Sequence, residues 1–309
     1  MWYNKRGQRL YLSAEAERNV FRIHGDEFFL ENLDEAGGRK GGNSSVFRAQ
    51  HPDGGETYIV KFFRYVRENE LNFVQRRLQR FEREIQALRL AQDSSERECV
   101  VPIVDHGIFP IRVDGERNTL RFFVMEEADS DLSRYLYENE LSVQQKVLLC
   151  NELLRIVCGL HRLGIYHRDI KPDNILMLGE RPVFGDLGLI NFRQHDSDLD
   201  EFDEKVGPLG FLSPEATNKC LGIRSRDTFT FDCWIDDKSD VFQLGQVFWF
   251  ILQDEVPAGH LDSEDLKFPI ARILTAIIGP MLQYGKQRRA STGIIEAALE
   301  PVLREVALI

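Results

Sequence analysis

Residues 166–176 read "YHRDIKPDNIL", which sets His167, Arg168, Asp169, Lys171 and Asp173 close together between two apolar runs. Upstream lies "VLLCNELLRIVCGLHRLGI" (147–165); downstream lie "ILML" (175–178) and "PVFGDLGLINF" (182–192). Charges flanked by segments that read as core line a site; solvation alone does not call for them there. "ILML" and "PVF" are short strands, and "GER" between them is a natural turn. With the turn centred on Glu180, Asn174 and Asp186 face each other across the hairpin, Cβ atoms about 5 Å apart. An amide oxygen beside a carboxylate is hard-oxygen ligation of the kind Mg²⁺ takes, with water and phosphate oxygens as its remaining ligands. Asp169 opens the same loop, placed to accept a proton from an incoming hydroxyl. Lys171 follows two residues later, placed to neutralise charge on a transferring phosphoryl group.

On these residues the chain resembles the eukaryotic-type serine/threonine protein kinases. "HRDIKPDN" is similar to their catalytic loop H-R-D-x-K-x-x-N, and "DLG" (186–188) to their D-F-G, with Leu187 for Phe. The resemblance implies an ATP-dependent kinase with a bilobal α+β fold. Asp169 and Lys171 would be catalytic, Asn174 and Asp186 would hold Mg²⁺, and the partners would be ATP and a protein serine or threonine.

Other segments extend the likeness. Lys61 in "YIVKFFR" has apolar neighbours on both faces of a strand, which marks it as buried and in need of a partner. By resemblance it contacts the α- and β-phosphates and pairs with a helix glutamate. Helical periodicity leaves Glu82 and Glu84 equal, each about 80° from the apolar stripe; the resemblance selects Glu84. Aligning Val46 with the valine of the family's glycine-rich loop puts Arg39, Gly41 and Ser44 at its three glycine positions, with Gly42 adding flexibility. Backbone N–H groups of this turn would face phosphate. In "FFVMEEADSDL", Met125 would back the adenine pocket, the backbones of Glu126 and Ala128 would bond adenine, and Asp131 would reach the ribose or cap the next helix. Ser213-Pro214-Glu215 resembles A-P-E, with Arg289 as the expected partner of Glu215. Asp240 in "KSDVFQLG" would anchor the catalytic loop or serve as a helix cap.

The walk along the chain gives the same division. Residues 28–128 are strands and turns with one long helix near 71–91; residues 129–309 are mainly helical, after a hinge near 126–129. Residues 1–27 stand as an extension. The chain is 309 residues, 43% hydrophobic and 29% charged, with 39 basic against 50 acidic side chains and net charge −11. That balance disfavours a nucleic-acid partner held by general phosphate attraction. No apolar run is long enough for a membrane partner. Five cysteines without a C-x-x-C pair point to a reducing, cytoplasmic setting. Oligomeric state is not legible.

The segment from Asp186 to Glu215 departs further from the family in two features. Pro208 stands where a threonine usually precedes A-P-E, removing a group that helps hold the catalytic Asp and Lys. The segment from Asp186 to Glu215 also carries an acidic run, Asp196, Asp198, Asp200, Glu201, Asp203 and Glu204. These carboxylates are a solvated loop, or they stand in for an activating phosphate opposite Arg168. Besides an active kinase, two readings stay open: a kinase-like binding module without catalysis, and a kinase of small molecules.

Overall fold

The computed structural model describes residues 1–4, 9–33, 44–63, 71–113, 116–193, 199–200, 204–222, 231–257, 259, 261–267 and 271–307. They form two compact units, Met1–Gln92 with Val101–Glu127, and Asp93–Val100 with Ala128–Ile309.

The first unit is strand-rich. β1 (Trp2–Asn4) pairs with β2 (Arg9–Tyr11), and six further strands make one antiparallel sheet. These are β3 (Val20–Ile23), β4 (Asp26–Asn32), β5 (Ser44–Gln50), β6 (Thr57–Phe63), β7 (Ile103–Val113) and β8 (Glu116–Glu126), in the order β3-β4-β5-β6-β8-β7. Residues 1–27 are therefore no mere extension, because β3 is an edge strand of that sheet. His24 (φ 52) and Gly25 (φ 101) turn the β3–β4 hairpin with the left-handed pair that matches strand twist. β6 lies inside, buried from Ile59 to Phe63. Phe21, Phe47, Phe62 and Phe122 pack in one core with Leu30, Val60 and Val124. Helix α1 (Leu71–Gln92) lays Phe81 against Phe63 and Phe123, ring centroids 5.5 and 5.4 Å apart.

The second unit is mainly helical. β9 (Ser130–Asp131), β11 (Ile175–Leu178) and β12 (Arg181–Phe184) form a small sheet, while β10 (Ile165–Tyr166) pairs with β13 (Asn191–Phe192). Around them stand α2 (Leu132–Glu138), α3 (Val143–Arg162), α4 (Pro214–Cys220) and α5 (Asp237–Gln253). A π-helical turn, Ile273–Ile278, runs into α6 (Gly279–Met281), and α7 (Thr292–Val306) follows. Ser142 and Gln145 close a capping box at the start of α3, where the orphan N–H groups need acceptors. Leu153, Leu154, Val157 and Leu160 of that helix are buried, each contributing about 1.5–3 kcal/mol of apolar burial. Helix α5 is buried on nearly every face, so its polar residues Asp240, Gln243, Gln246 and Gln253 must find partners inside the protein.

Candidate active site

The β11–β12 hairpin differs in register from the sequence expectation. Ile175 pairs with Phe184 and Leu178 with Arg181, so the reversal lies between Gly179 and Glu180. Gly179 takes φ 62 at the first turn position, as a two-residue loop requires. Asn174 consequently opposes Gly185, whose N–H donates to its carbonyl at 3.2 Å, and is not set directly opposite Asp186. Asn174 and Asp186 flank the same open end of the ladder, beyond the Ile175–Phe184 pair, and both act on Asp169. Asn174 Nδ2 donates to the Asp169 carbonyl at 2.8 Å and to its Oδ2 at 2.7 Å. The Asp186 charge raises the Asp169 pKa, and its Oδ1 accepts the Gly188 N–H at 3.1 Å.

Asp169 is half-buried, and this loss of solvation is the main reason its carboxyl is raised to about 6; Lys171 pulls it down, Asp186 pushes it up, and the Asn174 bond lowers it. A carboxylate tuned towards neutrality suits proton transfer. The backbone beneath it is fixed. Asp240 accepts the N–H groups of His167 and Arg168 at 2.8 and 2.7 Å and contacts His161 Nε2 at 2.9 Å. Asp240 thus anchors the loop, and the helix cap is Asp236 instead. His167 packs on Phe184 with centroids 4.2 Å apart; burial, against the pull of Asp240 and Asp186, lowers its pKa to about 4 and keeps it neutral. Lys171 stands half-exposed, 4.0 Å from Asp173.

The donor set fits a hard cation. With its nitrogen turned to Asp169, Asn174 has its amide oxygen left to offer, and the Asp186 carboxylate is near enough to act on the same Asp169. Among the described residues there is no cluster of three or more His, Cys, Asp or Glu side chains suited to a metal; a Mg²⁺ held by Asn174 and Asp186 would take its other ligands from water and phosphate.

Within the acidic run, Asp200 bonds Arg168 and lies 3.0 Å from Lys219, with all three side chains buried. The pairing expected for that run is found at this position; Asp196, Ser197, Asp198, Glu201 and Asp203 lie outside the described residues. Glu215 meets Arg289 through two contacts of 2.8 and 3.2 Å.

In the first unit Lys61 Nζ donates to Glu84 at 2.7 Å in a buried pair, while Glu82 is exposed and faces Arg121 at 3.4 Å. Val46 is the cross-strand neighbour of Lys61. Met125 is buried between Ile59 and Ile103. The Glu126 N–H donates to the Pro102 carbonyl at 3.0 Å, which removes that donor from any contact with adenine. Gly41 and Gly42 lie outside the described residues. In the second unit Ala128 is half-buried next to β9, and Asp131 caps α2 by accepting the Arg134 N–H at 2.9 Å. Sequence reasoning missed Gln243 and Lys219. Gln243 lies one helical turn from Asp240 inside a largely apolar run, a spacing that marks a shared face.

Residues 35–292 match the family description "Protein kinase domain". The dual specificity protein kinase TTK of Mus musculus is 24% identical over 241 residues, covering 78% of this chain and 25% of that protein. The serine/threonine-protein kinase cds1 of Schizosaccharomyces pombe is 28% identical over 207 residues, covering 66% and 40%. The interferon-induced, double-stranded RNA-activated protein kinase of Mus musculus is 29% identical over 277 residues, covering 86% and 47%. This chain spans less than half the length of each of these relatives.

Proposed function

The chain belongs to the protein kinase family, and from that premise we propose that it transfers the γ-phosphoryl group of ATP to a serine or threonine hydroxyl of a protein. The observation that carries this reading is Asp169: a half-buried carboxyl raised to about 6, hydrogen-bonded to Asn174 and influenced by Asp186. In the proposed step the acceptor oxygen bonds to the γ-phosphorus as the bond from phosphorus to the ADP oxygen breaks. The hydroxyl proton passes to Asp169 and from there to water. Lys171 offsets charge on the moving group, and the Lys61–Glu84 pair presents an ammonium to the α- and β-phosphates. Mg²⁺ bound through Asn174 and Asp186 would supply positive charge against the phosphate oxygens. Gly41, Gly42 and Val46, the carbonyl of Glu126, the backbone of Ala128 and the side chain of Asp131 would complete the nucleotide contacts in this proposal, and the cytosol is its compartment.

Serine or threonine acceptors are favoured by Lys171 and by the likeness to the serine/threonine-protein kinase cds1. Pro208 favours the second reading, a kinase-like binding module, because it removes a hydroxyl next to the catalytic loop. Incubation with Mg-ATP and a cell lysate, followed by mass spectrometry, separates the two. Phosphoserine and phosphothreonine that form with the wild type and vanish with Asp169→Asn are expected. Equal transfer by that variant would refute the role of Asp169, and no transfer by the wild type would favour the binding module.

A further inference from the structure

Helix α5 carries two polar side chains one turn apart on one face, Asp240 and Gln243, and both are fully buried. Asp240 holds the N–H groups of His167 and Arg168. Gln243 uses both ends of its amide on the next stretch of the same loop. Its Oε1 accepts the Ile170 N–H at 2.9 Å, and its Nε2 donates to the Arg168 carbonyl at 3.1 Å. These two backbone groups stand immediately before and after Asp169.

Arg168 adopts φ 68, a left-handed conformation that a residue with a side chain holds only where its surroundings impose it. Asp240 grips the N–H of Arg168 and Gln243 its C=O, so the strained residue is clamped at both ends. Gly207, at φ 113, brings a further backbone up to the same clamp. A Cβ there would crowd Gln243 Nε2 at 3.1 Å and the Arg168 carbonyl oxygen at 3.2 Å, and the positive φ favours glycine at this approach. An apolar side chain in place of Gln243 would fill the space and leave both loop groups buried without that bond.

We propose that Gln243 is a positioning residue for phosphoryl transfer: its amide bridges the backbone on either side of Asp169 and so sets where the carboxylate stands. The inference rests on the phosphotransfer reading, so its test includes a readout that needs no activity. Gln243→Met keeps length and burial and removes both hydrogen bonds; Gln243→Asn serves if that variant does not fold. Gln253→Met, also a fully buried amide of α5, is the control for loss of a buried polar group. Hydrogen exchange at the Ile170 amide is expected to quicken about tenfold or more in Gln243→Met and to stay unchanged in Gln253→Met. With labelled ATP, kcat is expected to fall on the order of 100-fold in Gln243→Met while KM for ATP stays within about two-fold. Unchanged exchange at Ile170, unchanged kcat, or an equal kcat loss in the control would each overturn the proposal. A wild type that transfers no phosphate refutes the phosphotransfer reading, and the exchange measurement then still decides whether Gln243 sets the loop.

Discussion

Replacing Arg289 by Met tests how the Glu215 end of the segment from Asp186 to Glu215 is tied down. The Arg289 side chain is 0% and that of Glu215 2% exposed, so solvent does little to screen the pair. Arg289 meets both carboxylate oxygens, donates to the Lys238 and Gln283 carbonyls at 2.6 and 3.1 Å, and stacks on Phe242 with 4.9 Å to the ring centroid. Glu215 also accepts from Ser239 Oγ at 2.5 Å, which cannot replace a charge. Removing one partner of such a buried pair costs about 3–5 kcal/mol. That is a large share of a total stability of about 5–15 kcal/mol. The double variant Glu215→Leu/Arg289→Met, with no stranded charge, should recover most of the loss. The pH dependence has a definite sign. Burial pushes the Glu215 pKa up, but the Arg289 and Ser239 hydrogen bonds outweigh it and hold the group below the usual carboxylate range. In the wild type this contribution is present at neutral pH and is lost as acid protonates Glu215. In Arg289→Met the upward push of burial remains, so the penalty should be greatest at pH 7 and shrink as the pH falls towards the ordinary value. Urea unfolding followed by the fluorescence of buried Trp249 measures it. A single-variant cost below about 1 kcal/mol, or one independent of pH, would refute this reasoning.

Three further outcomes follow from the site. Because Asp169 must be ionised to accept a proton and titrates at about 6, kcat/KM should fall about tenfold per pH unit below that value; Lys171→Met, which removes a downward pull, should move this acid limb to higher pH. Asp200→Asn should lower kcat about tenfold in a phosphate-transfer assay by weakening the hold on Arg168 and Lys219, whereas Ser197→Ala should keep nearly full activity, since a carboxylate already occupies that place. Gly185→Ala should destabilise the protein by about 1–3 kcal/mol in urea unfolding, because its Cβ would fall 2.2 Å from Leu176 Cδ1.

Where burial or charge alone decides, the sequence was readable. Lys61 has apolar residues on both sides of its strand, which made its burial and its need for a partner evident. The choice between Glu82 and Glu84 was not a matter of periodicity; it is settled by three-dimensional neighbours, Arg121 for one and Lys61 for the other. The hairpin register was missed by one residue because it depends on the left-handed conformation of Gly179, which composition does not reveal. Strand β3 escaped because four residues alternate too briefly to signal a strand, although Phe21 and Ile23 are buried around exposed Arg22. The acidic run was plain, yet only packing shows that Asp200 turns inward. Gln243 looked like an ordinary polar residue of a helix until its burial imposed the question of what it bonds.

The central claim is that Asn174 and Asp186, although not paired across the hairpin, offer oxygens to one divalent ion beside Asp169. Titrating Mn²⁺ into the ATP-saturated protein, read by electron paramagnetic resonance, tests it most directly. Asn174→Ala and Asp186→Ala should each weaken the same bound ion by about tenfold or more, the scale of about 1.4 kcal/mol. Affinity for that ion left unchanged by either substitution would contradict the account.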